Sequence, residues 1–207
     1  MKYAVIGTGA IGGYYGAKLS KAGAEVHFLL HSDYDYVKEH GLQVDSCDGS
    51  FHLDHPSVYR STANMPQCDV VIVALKTTNN HLLTKLLPPL LKSDTIVLLI
   101  QNGIGVEASV EQMFPDVQLA AGLAFICSAK TRPGFVNHQC YGNINIGNYS
   151  CRDAARYAAM LDDMRAAGIQ RQLLLYQHCA YRRALQHNGQ HHDTNNYLYL
   201  YYHSTDG

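Results

Sequence analysis

The sequence predicts an α/β fold, a doubly wound and mostly parallel sheet, and three observations carry that expectation. An apolar run, Tyr3-Ala4-Val5-Ile6, leads at once into Gly7-Thr8-Gly9-Ala10-Ile11-Gly12 and then a helical pattern. A second apolar run, Glu25 to Leu30, completes a strand–helix–strand unit in about thirty residues, the length of a βαβ crossover. Two further continuous apolar runs, Asp69 to Leu75 and Thr95 to Ile100, each end in polar residues and precede helical stretches. Continuous apolar runs suit strands covered on both faces, as parallel strands are.

Taken in order, residues 2 to 6 read as a buried strand. Ala10 to Ala22 reads as a helix dense in small residues (Gly13, Gly16, Ala17), with Gly23 as its C-cap. Ser32 reads as the cap of a helix beginning at Asp33. Gly41 to Leu53 alternates around Asp48-Gly49 and predicts a hairpin. A helix is expected from Asn80 and stops near Leu87, because Pro88 and Pro89 cannot continue it. Val106 to Phe114 reads as a short helix. Residues 117–127, 134–139 and 142–147 read as late strands, with Gly134 and Gly142 as turn residues. Cys151 to Ala167 is amphipathic and closed by Gly168, and Ile169 to Leu175 reads as a last strand.

The glycine stretch has the pattern and the setting of a dinucleotide fingerprint, which makes the expected sheet Rossmann-like. The first Gly makes the strand-to-helix turn, the second lets a pyrophosphate approach the backbone, and the third lets helix and strand pack closely. The helix N-terminus then offers free N–H groups and a positive dipole end to the phosphates. The candidate cofactor-binding residues here are Gly7, Thr8, Gly9, Ala10, Ile11 and Gly12. An NAD enzyme places an acid at the end of the second strand to hold the ribose 2′-hydroxyl. This chain reads Leu30-His31-Ser32 there, with no carboxylate until Asp33. His31, Ser32 and Lys38 suit a 2′-phosphate, so NADP (NADPH) is the expected cofactor. Ligands of such sheets bind beyond the carboxyl ends of the strands. Lys76 and Asn102 lie just past two of those ends and are expected to share one crevice with the fingerprint. Read as bare sequence, Lys76 is also an ordinary surface lysine and Asn102 the first residue of a standard Asn-Gly turn.

Composition narrows the function classes. The chain is 47% apolar with a formal net charge of -1, which points to no nucleic-acid partner and no membrane surface. No apolar run reaches the length of a bilayer span, and Met1-Lys2-Tyr3 enters a strand directly. Six scattered cysteines without an export signal read as free thiols, and the expectation is a cytoplasmic protein.

Three motifs in order resemble one family. Gly7-Thr8-Gly9-Ala10-Ile11-Gly12, Ala74-Leu75-Lys76-Thr77 and Gln101-Asn102-Gly103-Ile104-Gly105 together resemble the ketopantoate reductases (2-dehydropantoate 2-reductases). The resemblance covers roughly residues 1 to 172, including Gly122 to Asn148. It implies NADPH-dependent reduction of a branched 2-oxo acid to the 2-hydroxy acid in pantothenate synthesis, with Lys76 and Asn102 lining the crevice. Many members carry a basic residue at the position of His31. The family also has a helical C-terminal domain that carries a proton-donating Lys. No such Lys is found in this chain, so its catalytic residue is unknown and impaired activity is expected. The alternatives are a non-catalytic NADP(H)-binding fragment or paralogue, and a same-family reductase of a different 2-oxo acid.

The expected division is therefore a dinucleotide-binding domain over 1–172 and an aberrant tail over 173–207. Of 12 histidines, His178, His187, His191, His192 and His203 fall in that tail, together with Tyr197, Tyr199, Tyr201 and Tyr202. Three readings compete for it. A metal site at His187, His191 and His192 is opposed by the helix-breaking Asn188-Gly189 between them. A natural low-complexity tail is the second. The third, which we favour, is a reading-frame slip. Shifting the frame by one nucleotide permits an Asp-Gly-Leu-Ser stretch resembling the Asn-Gly-Leu-Ser that opens the family's helical domain.

Overall fold

The computed structural model of the chain describes residues 1–173, with side chains described through residue 170. The expectations for the tail, the frame slip and His187, His191 and His192 among them, lie outside the described residues. The strands are β1 (Lys2–Ile6), β2 (Glu25–Leu29), β3 (Leu42–Ser46), β4 (Phe51–Leu53), β5 (Ser57–Tyr59), β6 (Val70–Val73), β7 (Ile96–Leu99), β8 (Gln118–Arg132), β9 (Phe135–Asn148) and β10 (Arg171–Leu173). The helices are α1 (Ala10–Lys21), α2 (Tyr34–His40), α3 (Leu83–Leu86), α4 (Val106–Met113) and α5 (Ala154–Ala166). The strands join one sheet in the order β4-β3-β9-β8-β7-β6-β1-β2-β5, and β10 pairs with β9. From β8 through β7, β6, β1 and β2 to β5 every pairing is parallel; β8–β9 and β3–β4 are antiparallel. The expected α/β, Rossmann-like architecture is therefore the one observed.

The strands are apolar on both faces because both are covered. Tyr3 and Val5 of β1, Val70 and Ile72 of β6, and Ile96 and Leu98 of β7 point into a core with α1 and α5. Their alternates, Ala4 and Ile6, Val71 and Val73, Val97 and Leu99, enter a second core with Leu83, Leu87 and Val110 on the other face. Alternation by two along the strand divides one apolar run between two cores.

Several expected elements differ from those observed. The stretch expected as a helix from Asn80 is a 3-10 segment, Thr77–Leu82, followed by the four-residue α3 and a second 3-10 turn at Pro88–Leu90. Ser32 does not cap a helix. Asp33 is the N-cap residue of α2, no side-chain cap bond forms, and the Ser32 hydroxyl donates to Asp33 Oδ1 at 3.1 Å. The two late strands are the single strand β9, bent at Tyr141 and Gly142, where φ is +67° and +102°. Gly142 thus marks an irregularity inside a ladder, while Gly134 does make the β8–β9 turn. Helix α5 begins at Ala154 because the Asp153 carboxylate accepts the Arg156 N–H at 3.0 Å. The short edge strand β5 was not expected. It pairs with β2, and Leu30 N–H donates to the Tyr59 carbonyl at 2.9 Å.

One polar network ties strand beginnings to α5. Asp69 accepts from Lys2 N–H at 2.8 Å, Lys92 Nζ at 2.5 Å and Arg156 at 2.9 Å, and Arg156 also pairs with Asp94. Burial pushes the Asp69 carboxyl up, but these three donors outweigh it and hold the group far below the usual carboxylate range. A depressed folded-state pKa contributes stability above the unfolded value of about 3.9, and that stability is lost as pH falls below it. Asp69→Asn is expected to lower stability by about 2 kcal/mol at neutral pH. In urea melts at a series of pH values, the gap between the two proteins should close below about pH 4. A gap that persists at low pH would show that the charge is not the stabilising feature.

Candidate functional site: a crevice at the switch point of the sheet

The chain leaves β1 toward β2 on one side and later returns to β6 on the other. Between these strands' carboxyl ends the sheet leaves a crevice, the usual ligand position in such folds. The glycine turn lies against one wall. Gly7 has φ +90°, and a Cβ there would stand 2.6 Å from Leu75 N, so the turn packs directly on the segment leaving β6. A Cβ on Gly12 would stand 2.3 Å from the Gly7 carbonyl oxygen. Gly9 differs, since nothing lies within 4 Å of the position its Cβ would take. The turn is thus closed against the protein at its first and third glycines and open at its second. Thr8 anchors it, donating its hydroxyl to the Leu29 carbonyl at 2.9 Å, and Ala10 is buried with its carbonyl accepting from Ser128. Gly9 is the N-cap residue of the twelve-residue α1, with no side chain bonded into the helix start.

A cleft of about 190 Å³ opens beside this turn, lined by Ile11, Leu75, Lys76, Gln101, Asn102 and Gly122 among others. Ile11, Lys76 and Asn102, on three separate segments, are therefore brought together. Lys76 and Asn102 are exposed at its mouth, and Lys76 is the one cationic side chain among the lining residues. Gln101 is buried. Its Nε2 donates to the Leu75 carbonyl at 2.8 Å and to Asn80 Oδ1 at 2.7 Å, while its Oε1 has no hydrogen-bond partner. Gln101 was not singled out from sequence. Its place after a strand, beside Asn102, was the available signal.

His31 and Ser32 do not line this cleft; they are exposed beyond the end of β2. The acid that follows them is committed elsewhere. Asp33 is buried, pairs with Lys130 at 2.7 Å and accepts the Gly134 N–H at 3.2 Å. Arg60, also missed from sequence, follows β5 and so stands next to the end of β2. Its guanidinium lies 4.4 Å from the Tyr34 ring centre and is bound by both Asp35 carboxylate oxygens at 2.5 and 2.6 Å.

These features fit a dinucleotide. The open approach at Gly9 and the uncapped helix start suit a pyrophosphate, and the orphan Gln101 Oε1 can accept an amide N–H. Away from the crevice, Cys47, Asp48 and His138 place ligating atoms within 4.8 Å of one another. Lys18 and Lys21 line the hollow next to Asp48, which opposes a cation there. No helix among the described residues is long and apolar enough to cross a membrane.

Known proteins resemble this chain over most of its length. Residues 3–150 match the family described as Ketopantoate reductase PanE/ApbA. A 2-dehydropantoate 2-reductase from a Nostoc species is 51% identical over 178 residues, covering 84% of this chain and 56% of the relative. The crystal structure of 2-dehydropantoate 2-reductase from Geobacter metallireducens superposes with a TM-score of 0.84 at 34% identity, covering 91% of this chain and 62% of that one. A ternary structure of D-mandelate dehydrogenase with NADH and anilino(oxo)acetate has a TM-score of 0.76 at 25% identity. The chain thus spans less than two thirds of the length of these proteins.

Proposed function

Because the chain belongs to the ketopantoate reductase family PanE/ApbA, we propose that residues 1–172 form the NADPH-binding unit of a 2-dehydropantoate 2-reductase. The reaction is reduction of a 2-oxo acid, ketopantoate, to the 2-hydroxy acid of pantothenate biosynthesis, in a cytoplasmic setting. The observation that carries this reading is the crevice in which Ile11, Lys76 and Asn102 converge beside the open backbone of Gly9.

NADPH, when bound, supplies the hydride. The N–H groups opening α1 hold its pyrophosphate, aided by the helix dipole. Gly9 leaves the backbone bare for that approach. The Lys76 ammonium donates to a phosphate or ribose oxygen. Gln101 Oε1 and the Asn102 amide, side by side after β7, orient the nicotinamide end and the acceptor carbonyl. His31 and Ser32, exposed beyond β2, would meet the 2′-phosphate, and Asp33 would be kept from repelling it by its pairing with Lys130.

Hydride addition leaves an alkoxide that must take up a proton from a positioned acid. In this reading Lys76 serves the cofactor, and the family resemblance implies that the proton comes from a Lys of the family's helical C-terminal domain. The 207-residue chain is accordingly expected to bind NADPH, seen as a change in nicotinamide fluorescence, and to oxidise it slowly or not at all with ketopantoate. Absence of NADPH binding would sink the proposal. Rapid turnover would overturn only the placement of the acid.

A further inference from the structure

β8 and β9 run antiparallel, and their register sets Cys127 directly opposite Cys140. Directly opposed residues of such a pair project to the same face with Cα atoms about 4.5–5.5 Å apart. A disulfide spans Cα separations of about 4.4–6.8 Å. The register therefore brings the two Cα atoms into the range of separations a disulfide spans. The register shifts between Phe125 and Ile126 and again between Cys127 and Ser128, so the paired residues sit in backbone that is locally irregular and can take up a bridge's dihedral.

The neighbouring Cys127 thiol, together with burial, pushes the Cys140 thiol up to about 11. Both residues are half-buried, open enough for a small oxidant. The remaining described cysteines lack such an arrangement. Cys68 is fully buried, Cys151 donates to the Leu119 carbonyl, and Cys47 lies at the β3–β4 hairpin beside Asp48 and His138. Among the described residues, no other two cysteines are register partners across strands.

We propose that Cys127 and Cys140 form a reversible cross-strand disulfide when the protein meets a peroxide. One of the two sulfurs, as its thiolate, attacks the peroxide oxygen, breaking the O–O bond to give a sulfenic acid and one water. The facing sulfur then attacks the sulfenic sulfur, the S–S bond forms, and the sulfenic oxygen leaves as a second water with the thiol proton. Two thiols are oxidised by two electrons and one hydrogen peroxide is reduced to two waters. A dithiol reverses the step by exchange.

Trypsin provides a direct test on the full chain, because it cuts after Lys92, Lys130 and Arg152 and so separates Cys127, in peptide 93–130, from Cys140, in peptide 131–152. After treatment with hydrogen peroxide and alkylation of free thiols, these two peptides should be recovered as one linked species. Dithiothreitol should abolish it. Cys140→Ser should lose the link and Cys151→Ser, which removes the other cysteine of the second peptide, should keep it. Full alkylation of Cys127 and Cys140 after peroxide, over-oxidation of either to a sulfonic acid without linkage, or a link that survives Cys140→Ser would each overturn the proposal.

Discussion

Gly9→Ala is expected to leave the fold intact and to weaken NADPH binding about tenfold or more, whereas Gly12→Ala is expected to damage the fold itself. Nothing in the protein lies within 4 Å of a Cβ at Gly9. A methyl there costs the folded chain little, yet it occupies the one open approach to the turn. Crowding by a single carbon typically costs about 1–3 kcal/mol, and about 1.4 kcal/mol is a factor of ten in affinity. At Gly12 the same methyl would stand 2.3 Å from the Gly7 carbonyl oxygen and 3.0 Å from Val5 Cγ1. Gly→Ala within a helix ordinarily gains up to about 1 kcal/mol, but a backbone oxygen cannot step aside as a side chain can. The clash wins, and a net loss of about 2 kcal/mol or more is expected, which for a fold of this size is roughly 4–8 °C in Tm. Thermal melts and NADPH titrations of both variants check the pair. Equal losses of binding without loss of stability would contradict the division of roles.

If Arg60, which stands beside the end of β2, also meets the 2′-phosphate, Arg60→Ala is expected to weaken NADPH binding several-fold and to leave NADH unchanged. The contact with the phosphate would be charge-assisted, and because Arg60 is exposed it is screened by salt. The two cofactors differ only in the 2′-phosphate, so their ratio isolates this contact from any change in the turn. Asp35 sharpens the test, since its carboxylate holds Arg60 from both oxygens. Asp35→Asn should release the guanidinium and strengthen NADPH binding, and the effect should shrink as salt is raised. Equal weakening of NADPH and NADH by Arg60→Ala would remove Arg60 from the 2′-phosphate site and leave His31 and Ser32 to carry the preference.

Local patterns made much of the architecture legible. β1, the glycine turn, α1 and β2 are adjacent in the chain, and their signals are steric: a tight turn that only Gly permits, a helix of small residues, apolar runs covered on both faces. The hairpin around Asp48-Gly49 was readable for the same reason. Its destination was not. β3 joins the sheet beside β9, some ninety residues away, and no short-range pattern encodes such a pairing. The short strand β5 was hidden because three residues carry too little periodicity. With it went Arg60, whose position depends on β5 lying beside β2. The 3-10 geometry of residues 77–82 was lost in a stretch that has good helical spacing but must turn from the end of β6 over the sheet.

The sequence by itself determined the fold class, the family and the three segments that form the crevice. These follow from glycines at fixed spacing after a strand and from polar residues where apolar runs stop, properties of the chain at short range. Tertiary structure alone decided that Asp33 is paired with Lys130, that the Gln101 carbonyl oxygen is buried beside the crevice without a partner, and that Cys127 faces Cys140. Each depends on two groups distant in the chain meeting at hydrogen-bond range, and that meeting is set by how the strands stack into one sheet. The open backbone at Gly9 belongs to both. Its glycine was written in the chain, and the space in front of it exists because β6 lies next to β1.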